Sequence, residues 1–345
     1  MELLVLGGTS FAGRGVVECA LAEGHTVTTF NRGRTNPDLF PGVRSLRGDR
    51  TTGDYDALAG AGPFDAVVDM CAYVPRAVRE TVAALGPAAV EGPYVLISSV
   101  SAYAEPRPGA DTEGFTEASP LATLPDGVDP AAEDVTGETY GPLKVLTEQA
   151  AEELLPGGVM IVRPGLIVGP HDPTDRFTYW VRRTADGGKM LAPEQPEVAR
   201  TQVIDAADMA GWIVASAAAG RTGAYNAVAP PVLLEDVLDA ARRATGPDVD
   251  VDAIWVPWPF LEAEGVAPWT DLPAWVPAPM FAVLAADGSK AGAAGLAHRS
   301  LDDVVADIAA WDRTRRDEPL RAGMSREREA ELLRKFAEVG PPHAP

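Results

Sequence analysis

Cysteine and histidine are scarce in this sequence. Its two cysteines, Cys19 and Cys71, fall in a predicted helix and after a predicted strand, so no disulfide framework is implied and a reducing compartment fits. The four histidines are scattered and offer no metal-ligand spacing. No apolar run of about 18 residues occurs, and no basic leader precedes the first glycines. We therefore expect a soluble, cytoplasmic protein with no metal and no membrane partner.

Basic residues are also in deficit, with 29 lysines and arginines against 50 acidic residues and a formal net charge of −21. Such a charge repels phosphate backbones and anionic membrane surfaces, which argues against nucleic acid as a partner. We expect a small-molecule substrate instead, and a homodimer is the assembly we consider. With 345 residues and 46% hydrophobic content, the chain can bury a large core in about two domains.

Short apolar runs alternate with longer helical patterns through the first half of the chain. The runs typical of buried strands are residues 3–6, 26–30, 66–69, 94–97 and 159–162. The segments with helical periodicity are residues 13–22, 76–85 and 141–155. This alternation predicts right-handed crossovers between parallel strands. We therefore predict an α/β fold, a Rossmann-type doubly wound parallel sheet with a smaller C-terminal substrate domain.

The division into domains follows from where this alternation is clear. Residues 1–165 and 202–228 are predicted to form the Rossmann domain, and residues 166–201 and 229–345 the substrate-binding domain and C-terminal helices. Residues 104–138 are rich in Pro, Gly, Asp and Glu without a clear period, which predicts a substrate-side lid. The alternating charges of residues 324–338 predict an exposed helix.

A glycine-rich turn joins the first predicted strand to the first helix, with the sequence Gly-Gly-Thr-Ser-Phe-Ala-Gly from Gly7 to Gly13. Gly7 permits a tight turn and Gly13 lets helix and sheet approach closely, so that amides at the helix N-terminus can receive a pyrophosphate. Ser10 stands where the middle glycine of a Gly-x-x-Gly-x-x-Gly pattern would be, and its hydroxyl can donate to a phosphate. A glycine turn without a ligand is the alternative.

The end of the second strand bears on the choice of dinucleotide. It carries Asn31, Arg32 and Arg34, with no carboxylate to accept hydrogen bonds from both ribose hydroxyls of NAD. The arginines suit a 2′-phosphate, so NADP(H) is favoured, with NAD(H) the alternative if they are only solvated charges. Further on, Asp49 offers a carboxylate where an adenine amino group is recognised, and Arg50 follows it.

Tyr140 and Lys144 stand four residues apart at the start of a predicted helix, and therefore on one face. A tyrosine with a pKa of about 10 is a poor base at neutral pH, but a neighbouring ammonium and an oxidised nicotinamide favour the phenolate. The same lysine can hold the nicotinamide ribose. Because Tyr-x-x-x-Lys is frequent by chance, the motif alone would indicate only a surface pair.

Further residues place the motif in a longer pattern. The glycine turn, Asp49, the strand end at Cys71 and Ala72, then Ser99, Tyr140 and Lys144 resemble, in this order, the extended short-chain dehydrogenase/reductase (NAD-dependent epimerase/dehydratase-like) family over residues 1–230. The resemblance implies that Ser99 hydrogen-bonds the substrate oxygen while Tyr140 exchanges its proton. It also includes Tyr103, four residues after Ser99, and a segment around 163–170 that lines nicotinamide and substrate in the family.

Together the motifs and the resemblance give three sets of candidate residues. The catalytic set is Ser99, Tyr140 and Lys144. The dinucleotide set is Gly7, Thr9, Ser10, Phe11, Gly13, Asn31, Arg32, Arg34, Asp49, Arg50, Cys71, Ala72, Tyr140, Lys144, Pro164 and Gly165. The substrate set is Ser101, Tyr103 and Leu166.

Departures from the family pattern narrow the expected chemistry. Sugar-nucleotide epimerases and dehydratases commonly carry an asparagine where Leu166 stands and an arginine near Gln202, and dehydratases carry an acid pair where Val100 and Ser101 stand. The leading hypothesis is therefore a reductase or dehydrogenase acting on a carbonyl or secondary alcohol. An NAD-dependent epimerase of a sugar nucleotide or related substrate is the second. The glycine turn also resembles chloroplast stem-loop-binding relatives, so a non-catalytic dinucleotide-sensing or RNA-binding protein is the third, against which the net charge argues.

Overall fold

A computed structural model of the chain describes residues 1–86, 89–104, 114–129, 133–246 and 249–339. Two compact units divide it. The first comprises Met1–Ile167, Ile204–Ala229 and Ala286–His298, and the second Val168–Val203, Pro230–Ala285 and Arg299–Pro345. The segment Ala286–His298 thus belongs to the first unit, whereas the sequence-based division placed it with the C-terminal segments.

The strands and helices of the described residues alternate through the first unit. The strands are β1 (Glu2–Leu6), β2 (Thr26–Asn31), β3 (Arg44–Arg47), β4 (Ala66–Asp69), β5 (Tyr94–Ile97), β6 (Val159–Pro164), β7 (Leu166–Val168), β8 (Gly188–Pro193), β9 (Arg200–Thr201), β10 (Val203–Asp205), β11 (Gly223–Ala227), β12 (Val232–Leu233) and β13 (Val251–Val256). The helices are α1 (Phe11–Ala22), α2 (Pro75–Leu85), α3 (Tyr140–Leu154), α4 (Thr178–Ala185), α5 (Ala206–Ala218), α6 (Leu234–Thr245), α7 (Trp258–Ala263), α8 (Ser289–Ala293), α9 (Leu301–Arg313) and α10 (Arg326–Val339).

The central sheet has seven strands in the order β11-β6-β5-β4-β1-β2-β3, and its neighbouring strands are parallel. This order reverses direction at β1, which pairs with β2 on one side and β4 on the other. It is the doubly wound Rossmann order, so the predicted fold class is confirmed. In such sheets ligands bind outside the carboxyl ends of the strands near the reversal, which here are the ends of β1, β2 and β4.

Helices cover both faces of this sheet, and β1 shows why. Its side chains alternate, so Leu3 and Val5 pack into one apolar core together with α1 and α5, while Leu4 and Leu6 pack into the other with α2 and α3. All four side chains are completely buried. Burying each stabilises the fold by about 1.5–3 kcal/mol relative to exposure. The interior of β1 is therefore entirely apolar.

The irregular segment before α3 is tied to the short turn that follows β5. Ala104 N donates to the Pro120 carbonyl (2.9 Å) and Ala122 N donates to the Ala102 carbonyl (2.8 Å). The predicted lid over residues 104–138 falls partly outside the described residues, so its function stays a prediction.

The second unit contains its own helical packing. Helices α4, α6 and α9 pack against each other, strands β8 and β13 pair in parallel, and β9 pairs with β12 in antiparallel fashion. The buried Arg182 Nε donates to Asp312 Oδ2 (2.9 Å), which joins α4 to α9. Within the described part of the chain, no helix combines the length and apolar character that crossing a bilayer requires.

The C-terminal helix α10 is exposed or partly exposed along its length, as predicted, except at two residues. Glu329 and Leu332 are buried, and Glu329 accepts from Arg183 Nε (2.9 Å) and from the amide of Leu191 (2.9 Å). The helix itself was predicted correctly. The pattern of alternating charges gave no sign that one of them, Glu329, is buried and paired inside the second unit.

Candidate active site

The glycine turn between β1 and α1 is as tight as its sequence predicts. Gly7 and Gly8 have φ of +106° and +90°, which is the left-handed region that favours glycine. A Cβ on Gly13 would lie 2.9 Å from the Gly8 amide nitrogen, so only glycine lets the first turn of α1 approach the loop this closely. Ser10 is the exposed N-cap residue of α1, beside the helix amides that are not bonded within the helix. This geometry suits a phosphate group.

Asn31 links this turn to the end of β2. Its Nδ2 donates to the Gly7 carbonyl (3.4 Å), and its Oδ1 accepts from the Gly33 amide (2.8 Å) and from the Arg47 guanidinium. Arg47, the last residue of β3, was not among the predicted site residues, although it stands two positions before Asp49. The end of β2 is therefore held by one amide side chain and bordered by a cation from the next strand.

Two further arginines, Arg32 and Arg34, are exposed at the same strand end. Arg34 lies 3.7 Å from a carboxylate oxygen of Asp49. Asp49 accepts from the hydroxyl (2.6 Å) and the amide (3.0 Å) of Thr51, and these bonds, together with the charges of Arg32 and Arg34, lower the pKa of Asp49 below its usual range. The region is thus a cationic group with one ionised carboxylate beside it.

Arg50 was predicted to bind the dinucleotide, but its guanidinium is bonded to protein groups instead. Its guanidinium forms two parallel bonds to Asp69, with Nη1–Oδ1 of 2.7 Å and Nη2–Oδ2 of 2.8 Å, and also donates to the Ala77 carbonyl (3.0 Å). The side chain is 10% exposed. Its charged end is therefore directed into the protein, because a buried carboxylate at the end of β4 needs a counter-charge.

Asp69 is a residue that the sequence analysis missed. It ends the apolar strand β4, is completely buried, and accepts from the Tyr94 hydroxyl (2.6 Å) and the Cys71 amide (3.1 Å) in addition to Arg50. A carboxylate closing a four-residue apolar strand was the available signal. Through its bond with the Cys71 amide, Asp69 holds the chain at Cys71 and Ala72, two residues predicted to bind the dinucleotide.

The candidate catalytic residues come from two elements that are packed together. Ser99 precedes a short helical turn over residues 100–102, and its Oγ accepts from the Ser101 amide (3.0 Å). Tyr140 is the first residue of α3, and a Cβ on Gly141 would lie 2.0 Å from the Ser101 carbonyl oxygen. The glycine after Tyr140 thus allows the start of α3 to contact the serine turn directly.

Lys144 lies one helical turn after Tyr140 and is 3% exposed. Its Nζ donates to the carbonyl oxygens of Ala72 (2.8 Å) and Ile97 (2.9 Å), at the ends of β4 and β5. The same nitrogen is 5.8 Å from the centre of the Tyr140 ring. Burial lowers the pKa of Lys144 to about 8, an effect that neighbouring negative charges partly oppose. The ammonium form still predominates at neutral pH.

Tyr73 is a second aromatic residue beside this pair that was not predicted. Its ring centre lies 4.8 Å from Lys144 Nζ and 6.5 Å from the Tyr140 ring, and its side chain is 49% exposed. It directly follows Ala72, and an aromatic residue after the β4 strand end was the signal in the sequence. Its position offers an aromatic surface next to the candidate proton donor.

Tyr103, predicted as a substrate residue, is buried among protein partners instead. Its hydroxyl donates to Asn226 Oδ1 (2.6 Å) and accepts from Arg163 Nη1 (3.0 Å), while Arg163 forms two bonds with the buried Glu148 (3.0 and 2.6 Å). The ring stacks on Phe115 at 5.0 Å. This network joins α3, β6, β11 and the serine turn, and it occupies the hydroxyl that the prediction directed to substrate.

The remaining predicted residues lie at strand and turn ends of the first unit. Pro164 ends β6 and is buried, while Gly165 donates its amide to the Ala227 carbonyl (3.3 Å). Leu166 begins β7 and is half-buried, and Ser101 is exposed on the turn after Ser99. Within the described residues, no group of His, Cys, Asp and Glu side chains has the arrangement of a metal site.

A parallel sheet with a glycine turn after its first strand, and a Tyr-x-x-x-Lys helix beside it, is the arrangement of NAD(P)-dependent short-chain dehydrogenases. The sequence profile of the NAD dependent epimerase/dehydratase family matches residues 3–227. The chain belongs to this family and is an NAD(P)-dependent enzyme with a nicotinamide dinucleotide as its cofactor.

One related sequence is the 2′-dehydrokanamycin reductase of Streptomyces kanamyceticus, which is 36% identical over 138 residues. The match covers 39% of this chain and 37% of that enzyme, so it spans well under half of either protein. The likeness is therefore partial.

Solved structures resemble the chain over most of its length. WbmH of Bordetella bronchiseptica, in complex with NAD⁺, has a TM-score of 0.66 at 17% identity and covers 90% of this chain and 98% of that one. UDP-glucose 4-epimerase of Thermus thermophilus, in complex with NAD, has a TM-score of 0.63 at 18% identity and covers 91% and 99%. At such identities the likeness is one of fold.

Proposed function

We propose that this enzyme is an NADP(H)-dependent oxidoreductase that interconverts a carbonyl and a secondary alcohol on a small-molecule metabolite through Ser99, Tyr140 and Lys144. The observation that carries the proposal is the direct packing of the Ser99 turn against the start of α3 at Gly141, with the buried Lys144 ammonium beside the Tyr140 ring. The dinucleotide supplies or accepts the hydride. The side chains handle the proton and the oxygen.

Each of the three side chains has a separate task. Ser99 donates a hydrogen bond to the substrate oxygen, and Tyr140 gives its phenolic proton to that oxygen in reduction or takes it back in oxidation. Lys144 stabilises the phenolate that forms. An ammonium has three N–H donors, and two of them bond to Ala72 and Ile97, so the third can hold the nicotinamide ribose.

The preference for NADP(H) is supported by the charges at the ends of β2 and β3. The Arg47 guanidinium bonds to Asn31, and the exposed Arg32 and Arg34 follow Asn31 in the chain, so a 2′-phosphate placed there would meet guanidinium donors. Asp49 is an opposing charge beside them, and Arg34 lies 3.7 Å from it. The glycine turn accommodates the pyrophosphate of either dinucleotide, so these arginines are the basis of the preference.

Reduction of a ketone is favoured over epimerisation for two reasons. The partial relative is a reductase by name, and Leu166 offers no hydrogen bond where the sugar-nucleotide enzymes of the family commonly carry asparagine. An epimerase of a sugar nucleotide is the second candidate, since several structural neighbours are such epimerases.

The two candidates differ in whether the dinucleotide is consumed. Purified enzyme is mixed with NADPH and a panel of ketones, including oxidised amino sugars, and in parallel with NAD and UDP-sugars. A reductase consumes NADPH in stoichiometric amounts, and deuterium from labelled NADPH appears on the product carbon. An epimerase instead changes the sugar without net change in nicotinamide absorbance, which would contradict the proposed reaction.

A further inference from the structure

A buried carboxylate lies directly beneath the candidate active site. Asp69 accepts four hydrogen bonds: two from Arg50 (2.7 and 2.8 Å), one from the Tyr94 hydroxyl (2.6 Å) and one from the Cys71 amide (3.1 Å). It is 0% exposed. Burial alone raises the pKa of Asp69, but the charge and hydrogen bonds of Arg50, with the other two donors, outweigh it and leave the pKa below the usual range. Asp69 is therefore a fixed negative charge.

This carboxylate is connected to Lys144 through two residues of backbone. The bond from the Cys71 amide to Asp69 Oδ1 sets the course of the chain as it leaves β4. The carbonyl of Ala72, the residue after Cys71, accepts from Lys144 Nζ at 2.8 Å. A change at Asp69 therefore moves one of the two acceptors that hold the ammonium.

We propose that Asp69, clamped by Arg50 and Tyr94, is a positioning residue for Lys144, because it orients the Ala72 carbonyl and places a negative charge near the ammonium. The proposal rests on the dinucleotide-binding role of Lys144 proposed above. It assigns a role to Arg50 as well, since the guanidinium keeps the buried carboxylate ionised rather than binding the cofactor itself.

The electrostatics of the site give the proposal a measurable consequence. The charged and titratable groups around the ammonium are Asp69, Cys71, Glu148, Arg50, Tyr73 and Tyr140. Burial lowers the pKa of Lys144 to about 8, Asp69 contributes the strongest opposing charge, and Arg50 acts in the lowering direction. Dinucleotide affinity that depends on the ammonium is present at lower pH and falls as the pH rises through about 8. Without the Asp69 charge, that fall moves to lower pH.

The experiment measures dissociation constants for NADPH by fluorescence at pH values from about 6 to about 10, a range that brackets the pKa of the buried Lys144. For Asp69→Asn, the pH at which affinity falls moves down by about one unit or more. Tyr94→Phe is the matched control, because it removes one of the hydrogen bonds to Asp69 and keeps the carboxylate. The pH at which NADPH affinity falls should therefore move less in Tyr94→Phe than in Asp69→Asn. Equal weakening in both variants at every pH would mean that Asp69 only supports the fold, and would overturn the proposal.

Asp69→Asn leaves Arg50 buried without a counter-charge, so a second variant guards against misfolding. Arg50→Gln with Asp69→Asn removes both charges and retains hydrogen-bonding groups. Because Asp69 acts on Lys144 more strongly than Arg50, affinity in this variant still falls at lower pH than in wild type. A fall at the wild-type pH refutes the role of Asp69.

Lys144→Met separates this proposal from the one on which it rests. If Lys144→Met binds NADPH with the same affinity and pH dependence as wild type, the binding role of Lys144 fails. If Lys144→Met abolishes the high-pH fall while Asp69→Asn leaves it at the wild-type position, only the role of Asp69 fails.

Discussion

The preference for NADP(H) can be tested by removing the exposed arginines at the end of β2. In Arg32→Ala and Arg34→Ala, a 2′-phosphate loses charge-assisted hydrogen bonds worth about 1.5–3 kcal/mol each. The Arg34 side chain is 72% exposed and lies 3.7 Å from Asp49, so solvent and a competing carboxylate place its contribution at the lower end. We expect about a tenfold loss of NADP affinity for each variant and up to about a hundredfold for the pair.

The assay compares dissociation constants for NADP⁺ and NAD⁺, measured by quenching of tryptophan fluorescence at low and high salt. NAD⁺ lacks the 2′-phosphate, so its affinity should change little, and the loss for NADP⁺ should shrink as salt screens the exposed charges. Arg79→Ala is the matched control, since Arg79 is an exposed arginine of α2 paired with Glu153. Tighter binding of NAD⁺ by wild type, or an equal loss for both dinucleotides, would show that these arginines are surface charges and that the enzyme uses NAD.

The opposite probe is Asn31→Asp. The Asn31 Oδ1 accepts from Gly33 and Arg47, and a carboxylate keeps both of these bonds while losing only the long contact to the Gly7 carbonyl (3.4 Å). The fold should therefore tolerate the change. The new charge repels a 2′-phosphate and accepts from ribose hydroxyls, so preference should move toward NAD.

Three further variants test the site and its support. Tyr140→Phe should lower kcat at least about a hundredfold and leave dinucleotide affinity nearly intact, because it deletes the proton donor without changing the ring; near-normal turnover contradicts the catalytic role. Gly13→Ala should weaken dinucleotide binding while Gly15→Ala does not, because the added Cβ meets the loop backbone at 2.9 Å in the first case; in the second it makes ordinary contacts, with Ala210 Cβ at 3.4 Å and the Ala206 carbonyl oxygen at 3.6 Å. Equal titrations refute this. Tyr103→Phe should cost about 1–3 kcal/mol in urea unfolding because it leaves buried polar partners unpaired, and an unchanged midpoint would show that the network adds no stability.

The fold could be predicted because its signals are local. Strands β1, β4 and β5 are short and mainly apolar runs, and β4 and β5 have the predicted bounds. The first helix begins at Phe11 rather than at the predicted Gly13. Phe11 has a φ of +41°, a left-handed turn conformation that periodicity does not report. The predicted and observed ends of an element differ because they depend on the conformation of the adjoining turn. The presence of the element is easier to predict because it depends on the periodicity of its apolar residues.

The role of Arg50 could not be predicted in the same way. Its neighbour Asp49 matched a family position, and this suggested that both residues face the dinucleotide. Its actual partner, Asp69, is 19 residues away and adjacent only after β4 has taken its place in the sheet. An ion pair between two elements leaves no periodic pattern in a sequence. A charged residue within a binding motif can therefore hold the surrounding structure in place rather than contact the ligand.

Tyr103, predicted to bind substrate, also has its side chain directed by residues distant in the sequence. The spacing from Ser99 placed it in the correct turn, but the direction of its side chain is set by Asn226, 123 residues away, and by Arg163. With this hydroxyl turned inward, two other described groups are next to the catalytic residues. The half-exposed Tyr73 ring lies 6.5 Å from the Tyr140 ring, and the exposed Ser101 belongs to the turn that contacts the start of α3. These two groups are a hydroxyl and an aromatic ring. For the proposed reaction, we expect the Tyr73 ring to stack on the substrate, so substrates with and without a stacking face are the first to compare in a panel.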